Sequence, residues 1–136
     1  MEILEILKSS KLIAVVGLSD KPERPSYYVA SYLLEKEYKI IPINPNIKEW
    51  RGIKAFSSLS EIPQPARSQI DIVDIFRKSE DVPPIVDEAI KIRAKTIWMQ
   101  LGIVNEAAAT KARAAGLNVI MDKCMKIEHK KLAQPL

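Results

Sequence analysis

Five short runs rich in Ile and Val punctuate this chain: Leu12–Gly17, Lys39–Asn44, Asp71–Phe76, Thr96–Gln100 and Asn118–Asp122. None alternates cleanly between apolar and polar residues, so none reads as a strand with one wet face. Unbroken apolar runs of this length are what strands show when both faces of a parallel sheet are covered. Helical patterns lie between them. Ser26–Glu37 carries Tyr27, Ala30, Leu33 and Leu34 on one face, and Val82–Arg93 carries Val82, Ile85, Val86, Ala89 and Ile90. Pro83 and Pro84 fall in a first turn, where the missing N–H costs nothing, and Ser79 is a candidate N-cap for that helix. Ala107–Ala115 is bracketed by Asn105 as N-cap and Gly116 as the residue just past its end.

Strand–helix–strand alternation demands right-handed crossovers and a parallel sheet. The expected fold is a three-layer, doubly wound, Rossmann-like α/β domain covering residues 1–136 as one unit. Its strand order is expected to be 3-2-1-4-5, with a sixth strand allowed and a short piece near Lys54–Phe56 adding an edge. In such a sheet the carboxyl ends of the strands share one edge, and ligands bind there, in the crevice where the strand order reverses. Here that crevice lies between the strand ending at Gly17 and the strand ending at Phe76.

Composition narrows the class. With 136 residues, 47% hydrophobic, the chain is large enough for one core and too apolar to be disordered. No apolar run approaches the ~20 residues of a membrane span. The acidic start Met1-Glu2-Ile3-Leu4-Glu5 lacks the basic and small-residue features of a signal peptide. A single cysteine forms no internal disulfide, which fits a reducing compartment, so the expected location is cytoplasmic. A net charge of +4 suits an anionic ligand. Nucleic acid is disfavoured, because Lys and Arg are dispersed and aromatics make up only 6%.

Residues at the strand ends form the candidate site. Gly17 permits a sharp turn and close approach of a ligand to the backbone. The loop after it, Leu18-Ser19, and the helix start at Pro25 and Ser26 are placed to hold an anion, with Arg24 adding a charge-assisted contact. Asn44-Pro45, Phe76-Arg77, Gln100 with Gly102, and Lys123-Cys124 close the other strands. Phe76 and Arg77 have two readings: base and phosphate contacts, or a core aromatic beside a solvated cation. Trp98 reads as core. Lys123 and Lys126 flank Cys124 in a way that favours its thiolate, yet a small inert thiol is an equal reading. His129, the only histidine, reads as a surface residue.

A dinucleotide reading is weakened by two absences. The loop carries one glycine where the NAD fingerprint carries three, and Pro42-Ile43-Asn44-Pro45 offers no carboxylate for the ribose hydroxyls. No serine–histidine–acid triad or metal-ligand spacing occurs, and Asp71, Asp74 and Asp122 stand singly rather than as acid–base pairs.

Taken together, the chain resembles the small stand-alone CoA-binding proteins, whose Rossmann-like domain also forms the CoA-binding part of succinyl-CoA synthetase α subunits. The resemblance is carried by Ile13-Ala14-Val15-Val16-Gly17-Leu18-Ser19, Arg24-Pro25-Ser26-Tyr27, Ile41-Pro42-Ile43-Asn44-Pro45, Asp71-Ile72-Val73-Asp74-Ile75-Phe76-Arg77, Trp98-Met99-Gln100-Leu101-Gly102 and Met121-Asp122-Lys123-Cys124. One departure is Glu37-Tyr38, where the family more often has glycine before the tyrosine. The resemblance implies CoA or acyl-CoA as ligand, with phosphates against Gly17-Leu18-Ser19 and Arg24 and adenosine near Asn44-Pro45 and Phe76-Arg77. An anion-ready edge without a catalytic constellation reads as binding without turnover. A Cys124–CoA mixed disulfide and an NAD(P)-dependent activity are the alternatives.

Overall fold

A computed structural model describes residues 1–133. Five parallel strands form one sheet: β1 (Leu12–Val16), β2 (Lys39–Ile43), β5 (Ile72–Ile75), β6 (Thr96–Met99) and β7 (Asn118–Ile120), in the order β2-β1-β5-β6-β7. A hairpin of β3 (Glu49–Trp50) and β4 (Ile53–Lys54) precedes Phe56, which makes a single parallel bridge to Ile43. The expected order is therefore present, with its third strand reduced to that one bridge.

Within each strand the side chains alternate between two apolar layers. On one face, Ala14, Val16, Ile41, Ile43, Val73, Ile75, Ile97 and Met99 pack with α3 (Val82–Lys91) and α4 (Glu106–Ala114). On the other, Ile13, Val15, Ile40, Ile72 and Trp98 pack with α1 (Ile3–Ser9), α2 (Pro25–Glu35) and α5 (Met125–Lys130). The period of two is real, but both phases are apolar, which is why the sequence shows no alternation.

Local chemistry sets the boundaries. Asn105 caps α4, its Oδ1 accepting from Ala108 N at 2.9 Å, and Gly116 follows that helix at φ +91°. Ser79 does not cap α3. Its Oγ accepts from Val104 N at 3.0 Å and its carbonyl accepts from Asn105 Nδ2 at 3.0 Å, so it ties the loop after β5 to the loop after β6. At the end of α2, Glu37 adopts φ +73° while Tyr38 N closes onto Leu33 O. That is the left-handed position which favours glycine, and here a glutamate occupies it.

The helix α5 has no counterpart among the elements expected from sequence. Met125 is fully buried beneath it and Glu128 is buried. His129 is half-buried rather than a surface residue: its Nδ1 lies 2.8 Å from the Tyr32 hydroxyl, and its ring stacks edge-on against Tyr32 and Tyr38. Burial, with Lys36 nearby, lowers the His129 pKa below its usual value.

Candidate functional site

The helices after β1 and β5 depart to opposite faces, so the sheet opens a crevice between those strand ends. A cleft of about 810 Å³ occupies it. Of the residues expected at the site, Gly17, Ser19, Arg24, Pro25, Ser26, Asn44, Phe76, Arg77, Gln100 and Cys124 line this cleft. Leu18, Pro45, Gly102 and Lys123 do not.

Leu18 is fully buried and contributes only its carbonyl, which accepts from Asn44 Nδ2 at 3.1 Å. Asn44 Oδ1 in turn accepts from Asn46 N at 2.9 Å, so this amide stitches the β1 loop to the β2 loop. Gly102 takes φ +83° and donates to Asp122 Oδ1 at 2.7 Å, which joins the β6 and β7 loops. Lys123 is exposed, and its carbonyl receives the Trp98 indole N–H at 2.8 Å. Trp98 itself is fully buried. Gln100 lines the cleft, but its Oε1 accepts the first amide of α5, Met125 N, at 3.2 Å.

Gly17 is required for a reason internal to the fold. It sits at φ +87°, and a Cβ there would lie 2.2 Å from the Phe76 carbonyl oxygen. The close approach is between two strand ends, which brings the Arg77 Nε to within 3.4 Å of that same Cβ position. The loop beyond Gly17 is also closed on itself. Ser19 N donates to Ser26 Oγ at 2.9 Å and Lys21 N to Ser19 Oγ at 3.1 Å. These two amides are thus already used. Ser19 retains its hydroxyl proton as a donor, beside the cationic side chains of the cleft.

Those side chains are strongly one-signed. Lys21, Arg24, Arg77, Lys78 and Lys126 line the cleft, and no Asp or Glu does. Among the described residues, none of the five is in an ion pair. Lys126 instead holds its ammonium over the Tyr28 and Tyr32 rings, at 5.4 and 5.6 Å from their centroids. Lys21 and Lys78, with Tyr28, Val29, Leu101, Ile103 and Ile127, are lining residues outside the candidate set, and Lys126 was read only as a neighbour of Cys124. The helical phase of Tyr28 and Val29, one turn beyond Arg24, was the available signal for those two; α5 hid the signal for Ile127. Among the described residues no cluster of His, Cys, Asp and Glu is arranged to hold a metal ion, and no helix is long and apolar enough to cross a membrane.

Fold and cleft together define a Rossmann-like α/β domain with a cationic crevice at its topological switch point. The chain belongs to the CoA binding domain family, whose model matches residues 11–130. It is 48% identical over 128 residues to the Bacillus subtilis protein named uncharacterized protein YneT, covering 94% of this chain and 92% of that one. It is 33% identical over 91 residues to the α subunit of an ADP-forming acetate–CoA ligase I from Pyrococcus furiosus; that match covers 62% of this chain but only 19% of the ligase subunit. Among solved structures, a hypothetical protein from Pyrococcus horikoshii OT3 superposes with a TM-score of 0.91 at 41% identity, covering 97% of this chain and 90% of that one.

Proposed function

We propose that the cleft binds coenzyme A through its phosphates, as a binding module without turnover of its own, acting in the cytoplasm. The observation that carries this reading is the set of five cations with no acid in the same cleft, in a chain of the CoA binding domain family. Lys21, Arg24, Arg77 and Lys78 belong to the loops after β1 and β5 and suit the pyrophosphate and the ribose phosphate. The adenosine fits beside Asn44 and Phe76.

The length of the ligand is consistent with that orientation. From β1 to β7 is three strand steps, about 14 Å at 4.8 Å per step. The pantetheine arm has about twelve linear atoms between phosphate and sulfur, equal to roughly four extended peptide units, or ~13–14 Å. With the phosphates at the β1 and β5 loops, the sulfur reaches the neighbourhood of Cys124. Titration calorimetry with CoA at low salt tests the reading: saturable binding that weakens with added salt supports it, and no heat of binding sinks it. NAD(H) serves as competitor, because the position where a dinucleotide site carries an acid is occupied by Asn44, whose amide is engaged at both ends. Thermal stabilisation by NAD(H) exceeding that by CoA would favour the dinucleotide reading instead.

The half-buried Cys124 on the cleft wall favours a second use of the same ligand. Its thiolate can attack one sulfur of a CoA disulfide, forming a Cys124–CoA disulfide and releasing the other CoA as thiolate. Intact mass after incubation with CoA disulfide checks it: one CoA adduct, absent in Cys124→Ser, is the supporting result, and no adduct removes it.

A further inference from the structure

We infer that the ligand suited to this cleft is an acyl-CoA thioester with a short unbranched aliphatic acyl group, rather than free CoA. The inference rests on the reading of the cleft as a CoA site. Its own observation is the character of the cleft at the β6 and β7 end.

Six large hydrophobic side chains are exposed among the described residues, and three of them, Leu101 at 66%, Ile127 at 53% and Tyr28 at 47%, line this one cleft. Single exposed apolar residues are ordinary on a protein surface, but half of such residues meeting at one cleft is not a scattered distribution. They come from three separate elements: the turn after β6, α5, and the first turns of α2. Ile103 adds to the same wall. The Lys126 ammonium is drawn over the Tyr28 ring, so the cation of this end is held by aromatic faces. The opposite end carries Lys21, Arg24, Arg77 and Lys78.

Four of the cleft's five cations thus follow β1 and β5, while Leu101, Ile103 and Ile127 follow β6 and β7 on the side where Tyr28 of α2 meets Lys126 of α5, in the order in which an acyl-CoA presents phosphates, arm, sulfur and acyl chain. The thiol of free CoA would end at Cys124 and leave Leu101 and Ile127 in water. An acyl group continues from the sulfur across them.

Calorimetry on the intact protein with CoA, acetyl-, butyryl-, hexanoyl- and succinyl-CoA tests this. A fully buried methylene tightens binding about fourfold, and a half-buried one about twofold. The four methylenes separating acetyl from hexanoyl should therefore tighten binding about 16-fold in a groove open on one side. Succinyl-CoA should gain nothing over acetyl-CoA. In Leu101→Asn/Ile127→Asn the hexanoyl-to-acetyl affinity ratio should fall towards one; both residues are exposed, so the variant should fold, which circular dichroism checks. If CoA binds but affinity is flat or falls with acyl length, the inference fails while the CoA reading stands. If neither CoA nor any thioester binds, the CoA reading itself fails. Concentration-dependent dimerisation that Leu101→Asn abolishes, with no gain from acyl length, assigns the apolar end to a second copy and overturns the inference.

Discussion

Asp74 lies mid-strand in β5, in register with Val15 of β1 and Trp98 of β6. It is fully buried, and neither carboxyl oxygen has a hydrogen-bond partner. Burial pushes its pKa well above the usual carboxylate value of 3.8, so the folded protein carries a neutral acid where the unfolded chain carries an anion. In that interval the native state binds one more proton, and stability falls as pH rises by about 1.4 kcal/mol per pH unit. Below 3.8 the group is protonated in both states and the loss vanishes; above the folded-state value the loss is complete and constant. Asp74→Asn keeps the shape and the uncharged polar group but removes the titration. The stability of Asp74→Asn minus that of wild type should therefore grow with pH at that slope and then level, and the pH of levelling reads the folded-state pKa. Urea titration followed by tryptophan fluorescence reports it, since Trp50 and Trp98 are both buried. With an m value of about 1–3 kcal/mol/M, each pH unit should separate the midpoints by roughly 0.5–1.4 M urea. Other titrating groups are common to both proteins and cancel. A gap independent of pH would refute the assignment of a buried neutral carboxyl.

Further outcomes follow from particular residues. Gly17→Ala should destabilise by about 2–5 kcal/mol, the sum of a left-handed backbone cost and a steric clash with the Phe76 carbonyl; Gly102→Ala, at a similar φ with nothing within 4 Å, should lose only about 1–2 kcal/mol, and equal losses in thermal melts would contradict the contrast. Arg24→Ala and Arg77→Ala should each weaken CoA binding by about 1–3 kcal/mol at low salt, with the difference shrinking as salt rises; an unchanged dissociation constant removes that residue from the site. Glu37→Gly should stabilise by about 0.5–1 kcal/mol, because relief at φ +73° exceeds the entropy glycine adds to the unfolded chain; a lower denaturation midpoint would refute this. The His129 pKa is lowered by burial and by Lys36, so its contribution is fully present above about pH 6.5 and is lost as pH falls through the folded-state value; relative to His129→Gln, wild type should weaken on acidification, and parallel pH profiles would deny it.

The sheet was legible because each strand is short, apolar and bounded by turn residues, and because α2, α3 and α4 carry helical periods of their own. Two elements were not. Strand three collapses to one bridge at Phe56, since the hairpin β3–β4 takes the pairing of Ile53 and Lys54. Helix α5 is six residues of mixed charge, too short for periodicity to appear, and it forms by burying Met125 and docking His129 on Tyr32. Its absence from the sequence reading removed Ile127 from the site and left His129 read as a surface residue.

Strand-end residues with polar side chains look alike in sequence whether they face a ligand or each other. Asn44, Gln100 and the Asp122–Gly102 pair spend hydrogen bonds joining one strand-end loop to another, and Ser26 closes the β1 loop on itself. They form a chain of ties that runs from the β2 loop through β1, and from β6 to β7, with Ser79 joining the β5 and β6 loops. A cleft floored by such ties has little left to order when a ligand arrives, which lowers the entropic cost of binding. On the proposed reading, affinity comes from groups the ties leave uncommitted, among them the long cations Lys21, Arg24, Arg77 and Lys78. The division predicts opposite signatures in one pair of measurements. Loss of a tie, as in Asn44→Ala, should lower the melting temperature and weaken binding together, whereas loss of a cation such as Arg24 should weaken binding and leave the melting temperature of the free protein in place. A binding loss in Asn44→Ala with no change in stability would make its amide a ligand contact and undo the distinction.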